Sequence, residues 1–178
     1  MIIVFNKPYG VITQFSEHNT YNSLKDFIPY KNVYPAGRLD ADSEGLIILT
    51  DNGLLQNKLS TPTSNIEKTY LAQVENNPKK EELVRLKKGV QISSYITKPC
   101  KVKLIKEPKL WERKPPIRTR KFIPTSWLEI KISEGKNRQV RKMTAAIGYP
   151  TLRLVRVGIG NYSLGKLKPG EYKVVEES

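Results

Sequence analysis

Apolar residues in this chain come in short blocks, and the period changes from block to block. Ile2-Ile3-Val4-Phe5 and Leu46-Ile47-Ile48-Leu49 are unbroken runs, the pattern of strands buried on both faces. Trp127-Leu128-Glu129-Ile130-Lys131-Ile132 alternates, and so does the stretch 101–106, where Val102 and Leu104 lie between lysines. Such strands have one buried face and one wet face. In 66–74, Tyr70, Ala72 and Val74 share one face. Further strands are expected at 90–96, 151–157 and 171–175. Residues 11–13 are expected to fold back on 2–5 as a hairpin, around the turn Asn6-Lys7-Pro8-Tyr9-Gly10.

Helical spacing appears between these blocks. Leu24, Phe27 and Ile28 predict a short helix ending at Pro29, and Leu54, Leu55 and Leu59 another, broken at Thr61-Pro62. A third is expected to start with Asn77 as its cap and Pro78 in its first turn. Glu81 and Glu82 near its start, Lys87 and Lys88 near its end and Gly89 beyond all suit the helix dipole. In the fourth, Val140, Met143 and Ile147 fall on one side and Arg138, Arg141 and Lys142 on the other, with Gly148 and Pro150 closing it. The stretch 107–124 has no period. Pro108, Pro115, Pro116 and Pro124 break it up, and Lys109, Arg113, Lys114, Arg118, Arg120 and Lys121 make it basic. It is expected to be an arm that tracks phosphates, with Trp111 available to stack on a base.

Charge narrows the choice of partner. With 31 Lys and Arg against 17 Asp and Glu, the chain carries +14, which points to a polyanion and first to nucleic acid. No apolar run is long enough to suggest a membrane span, and the chain opens without the charged and apolar regions of a signal peptide. A single cysteine, Cys100, cannot form an internal disulfide and suits a reducing cytoplasm. His18 is the only histidine, so zinc chemistry and Ser-His-Asp or Cys-His catalysis lack residues. Any catalysis must rest on carboxylates, tyrosines, arginines and lysines.

The densest cluster of such groups is Gly37-Arg38-Leu39-Asp40-Ala41-Asp42-Ser43-Glu44-Gly45, just before an apolar run. Three readings of it stand side by side. It can be a solvated acidic turn. It can be a calcium loop, with Asp40, Asp42, Glu44, Gly45 and Asp51 at the EF-hand positions, although Pro35 and Gly37 oppose the incoming helix such a loop needs. Or Asp40 is a catalytic carboxylate at the mouth of a buried strand.

Three segments, in order, resemble the pseudouridine synthases. Gly37-Arg38-Leu39-Asp40 with Ser43-Glu44-Gly45-Leu46 is similar to their aspartate motif. Lys68-Thr69-Tyr70-Leu71-Ala72-Gln73-Val74 is similar to their Lys-x-Tyr strand, and Glu134-Gly135-Lys136-Asn137-Arg138-Gln139-Val140-Arg141-Lys142-Met143 to their C-terminal basic motif. Order and spacing resemble the branch acting on 16S and 23S rRNA. Pro115-Pro116-Ile117-Arg118 and Ile123-Pro124-Thr125-Ser126-Trp127-Leu128 are similar to its E-type large-subunit group.

The resemblance implies an α+β fold: a mixed, largely antiparallel sheet bent around a central catalytic cleft, with helices packed outside. It implies one catalytic domain over 1–178, in two lobes and without the S4 RNA-binding domain common in the branch. The implied activity is isomerisation of a uridine in 23S rRNA to pseudouridine, needing no cofactor and no metal. By resemblance, Asp40 is the nucleophile, Tyr70 stacks on the uracil over Leu152 or Leu154, and Arg141 pairs with Asp40. Arg38, Lys68, Arg113, Lys114, Arg118, Arg120, Arg138 and Lys142 are the expected RNA contacts. Two alternatives remain: a non-catalytic RNA-binding or ribosome-assembly protein, and a metal-dependent nuclease built on Asp40, Asp42 and Glu44.

Overall fold

The computed structural model describes residues 1–176. In chain order its elements are β1 (Ile2–Lys7), β2 (Tyr34–Pro35), β3 (Glu44–Thr50), α1 (Gly53–Ser60), β4 (Lys68–Glu75), α2 (Lys80–Lys88), β5 (Gln91–Ile92), β6 (Tyr95–Ile96), β7 (Lys101–Ile105), β8 (Thr125–Ile132), α3 (Gln139–Ala146), β9 (Thr151–Ile159), β10 (Tyr162–Ser163) and β11 (Tyr172–Val175). Single turns of 3-10 helix lie at Leu24–Asp26 and Pro62–Ser64. The architecture is α+β, with one nine-stranded, mostly antiparallel sheet. Its main path runs β11-β1-β3-β9-β4-β8-β7, with β10 on β9 and β2 on β3.

The unbroken apolar runs do become two-faced strands. Ile3, Phe5, Ile47 and Leu49 join the core on one side of the sheet, and Ile2, Val4, Leu46 and Ile48 the core on the other. The sheet's one parallel pairing is the short contact of β3 with β9, where Glu44 faces Val155 and Gly45 faces Arg156. Gly45 is required there. Its φ is +110°, and a Cβ would lie 2.2 Å from the Arg156 carbonyl oxygen. The β4–β9 register slips between Thr69 and Tyr70, a local irregularity of the kind that re-aims a side chain beside a site.

Several expected elements differ. Residues 11–13 form no strand. β1 instead pairs with β3 and β11, leaving Val11 a single bridge to Asn22. Lys7 explains the loss of the hairpin: its ammonium is buried inside the turn and donates to the carbonyls of Val11 (2.6 Å) and Pro8 (2.8 Å), wrapping the chain around itself. The third helix begins later than expected. Lys79 caps it, with its N–H on Glu82 Oε1 at 3.1 Å, while Asn77 accepts a hydrogen bond from Ser126 Oγ at 2.7 Å. The stretch 90–96 splits into β5 and β6, a separate two-stranded sheet. Among the described residues, no helix is long and apolar enough to cross a membrane.

Candidate active site

One cleft, with room for about 120 Å³, opens where β3 and β9 meet. Most of its lining comes from four parts of the chain, with Leu59 and Ser60 of α1 and Ile132 of β8 completing it. The loop before β3 supplies Gly37 to Asp40 and Ser43, and the start of β4 supplies Lys68 and Tyr70. The turn into α3 and the helix itself supply Lys136, Arg138 and Arg141, and β9 supplies Leu154 and Arg156. Residues more than a hundred positions apart meet because β9 lies between β3 and β4.

Asp40 is half-exposed in this cleft, and the cation on it is Arg138. Arg138 Nη1 lies 3.0 Å from Asp40 Oδ2, and the same guanidinium grips Asp42, with Nη1 at 3.0 Å and Nη2 at 2.8 Å from its two oxygens. This corrects the expectation that Arg141 makes the contact. Arg138 is not on the helix face. It caps α3 with φ at +50° and ψ at +34°, and this left-handed turn swings its side chain toward the carboxylates. Arg141 holds the loop from beneath. Its Nη2 donates to the Asp42 carbonyl at 2.8 Å and to Ser43 Oγ at 3.3 Å, and it lies 3.7 Å from Asp42 Oδ1. The hydrogen bonds from Arg138 hold the Asp42 carboxyl below the usual carboxylate range. Burial pulls the Arg141 guanidinium down from its ordinary value.

Tyr70 is buried in the cleft wall, in one apolar cluster with Leu154, Ile132 and Val140. Leu152 does not line the cleft, and its carbonyl accepts from Arg113 Nη1 at 3.2 Å. Lys68 and Arg38 line the cleft, and Lys142 does not.

The basic arm lies outside the cleft, and its residues divide. Arg113 is bound to the chain's own carbonyls at Pro115, Pro116 and Leu152, with its guanidinium 4.2 Å above the Tyr9 ring. Arg120 is paired with Glu75. Lys114 and Arg118 are exposed and make no such contact among the described residues. Trp111 is not free to stack. Its indole N–H donates to Glu44 Oε1 at 2.8 Å, and its ring packs against the second core.

Glu44 belongs to β3 rather than to the acidic loop. It is 1% exposed and gripped by Arg153 at 2.9 Å and 3.0 Å. It therefore points away from Asp40 and Asp42, and the three carboxylates do not converge as a calcium loop or a metal nuclease requires. Sequence reading missed Arg156 and Lys7. Arg156 carried a signal, because a cation within a largely apolar strand is buried and buried cations need a reason, whereas Lys7 falls in the turn after the apolar run and carried none.

A family model described as RNA pseudouridylate synthase matches residues 1–146. The chain is 52% identical over 175 residues to a ribosomal large subunit pseudouridine synthase E of Vibrio parahaemolyticus, covering 98% of this chain and 74% of that one. It is 49% identical to the protein of that name from Xanthomonas campestris, covering 98% and 95%. A solved pseudouridylate synthase superposes with a TM-score of 0.82 at 27% identity, covering 98% of this chain and 70% of that one. Together with the cleft that unites the aspartate loop, the Lys-x-Tyr strand and the basic turn, this assigns the chain to the RNA pseudouridylate synthase family.

Proposed function

We propose that the protein isomerises one uridine of large-subunit (23S) ribosomal RNA to pseudouridine, with Asp40 as nucleophile. The observation that carries this is that Asp40, held by Arg138, and Tyr70 line one cleft. The reaction breaks the bond from C1′ to N1, turns the base and joins C1′ to C5. The C5 proton is lost and N1 gains one, so atoms balance and no electrons are exchanged. Asp40 forms a covalent bond to the base or to the sugar, and Arg138 favours its charged form. Tyr70 holds the base while it turns, a stacking contact worth ~1–3 kcal/mol. The uridine must first leave its stack, at a few kcal/mol, and phosphate contacts on the +14 surface offset this. One catalytic unit over 1–178 does this in the cytoplasm.

Mapping pseudouridine across rRNA from a strain lacking the gene tests the reading. One large-subunit site should lose its modification and regain it on complementation. An unchanged map overturns the proposal and favours a binding role without catalysis.

A further inference from the structure

The cleft holds two buried cations that the proposed chemistry does not use. Lys68 is 7% exposed and Arg156 is 3% exposed. Arg156 spends Nε on the Leu46 carbonyl at 3.0 Å and Nη1 on the Arg38 carbonyl at 3.5 Å, and its Nη2 is buried with no partner. The Lys68 ammonium makes no hydrogen bond or ion pair among the described residues, and it lies beside Gly135, where a Cβ would come within 3.2 Å of it. Of the other arginines, Arg138 is occupied by two carboxylates, and Arg141 spends Nη2 on the Asp42 carbonyl and Ser43 Oγ, with its Nε buried and unpartnered. Burial of two like charges without an anion is costly unless a ligand supplies one.

Resting on the synthase reading, we propose that Lys68, with the charge of Arg156 behind it, binds the phosphodiester next to the flipped uridine. Spacing along β4 favours a phosphate. Lys68 and Tyr70 are two residues apart and line one cleft, so the strand sets them about 6.6–6.8 Å apart along its length. A base on Tyr70 and a sugar at Asp40 bring the nucleotide's own phosphate toward Lys68. Burial, and after it the field of Arg156, lowers the proton affinity of the Lys68 amine, and a bound phosphate would restore it.

The test uses the full-length protein and a large-subunit RNA fragment carrying the target uridine. The flanking linkage is made either normal or as a neutral methylphosphonate on the 5′ or 3′ side. With wild type, one neutral linkage should weaken binding by about tenfold, as for removal of a charged hydrogen bond. Lys68→Met should weaken binding of the normal RNA by a similar factor and lose nothing further on that linkage. If the two losses multiply instead, Lys68 does not bind that phosphate. If Lys68→Met binds normally and only converts slowly, the amine serves charge on the base, and the phosphate subsite is wrong. A circular dichroism melt checks that the variant folds, and Lys68→Arg should retain the coupling if it does not. Wild-type conversion of the normal RNA is measured alongside. If it fails, the synthase reading falls and the subsite with it, whereas conversion without coupling sinks the subsite alone.

Discussion

At the scale of single residues, the arrangement separates two arginines that the sequence presents as equivalent. Arg138 touches the carboxylates, while Arg141 ties down the backbone that carries them. Arg138→Ala should therefore cut pseudouridine formation at least tenfold with little change in melting temperature, since its ion pairs are partly exposed. Arg141→Ala should cut activity and also cost about 1–3 kcal/mol of stability, because it leaves the Asp42 carbonyl and Ser43 without a partner. Lys142→Ala should do neither. Measuring rates and melts for all three decides it, and a stable, inactive Arg141→Ala would restore Arg141 as the partner of Asp40. The error in the sequence reading is specific. A helical projection assumes that Arg138 is already in the helix, and the left-handed cap breaks that assumption. Lys7 offers a pH test. Burial lowers its ammonium to about 7, against 10.5 in the unfolded chain. Between those values the unfolded chain binds more protons, so stability rises with pH across that window. Lys7→Met should flatten the rise in urea midpoint, and an unaltered slope would show that Lys7 is not its source.

At the scale of elements, the strands whose apolar runs are longest are legible, because burial on both faces leaves no polar positions to confuse the pattern. β1 and β3 lie close to where those runs put them, and β8 and β9, which carry polar positions, also lie close to their expected places. Pairing is not legible. The expected hairpin follows from nearness in sequence, whereas β1 pairs with residues 38 and more positions away. The arm is legible as irregular and basic, but not as partly self-satisfied. Its arginines at 113 and 120 are held by carbonyls and by Glu75. Replacing Lys114 and Arg118 with Gln should lower the salt dependence of RNA binding by ~0.7–0.9 for each phosphate they neutralise in the wild type, with the melt unchanged. Arg113→Gln should instead loosen the arm and show in the melt. Equal salt slopes in the wild type and the Lys114/Arg118 double variant would mean that these two residues do not meet phosphate.

At the scale of the whole molecule, the +14 charge and the cleft do different work. Distributed charge brings RNA to the surface and holds it there. The β3–β9 junction then concentrates the chemistry, because the aspartate loop meets the two other motifs in the cleft that opens there. Aspartate, tyrosine and basic segments are all readable along the chain, but their convergence depends on a strand order that no local pattern encodes. Under the proposed function, Asp40 performs the chemistry and its neighbour Asp42 only shapes the loop. The most direct measurement is single-turnover pseudouridine formation on large-subunit RNA in EDTA, comparing wild type, Asp40→Asn and Asp42→Asn. Wild type should convert the RNA without free metal, Asp42→Asn should keep substantial activity, and Asp40→Asn should bind RNA within severalfold of wild type yet form no pseudouridine. Conversion by Asp40→Asn, with deamidation excluded by mass spectrometry, would contradict the account.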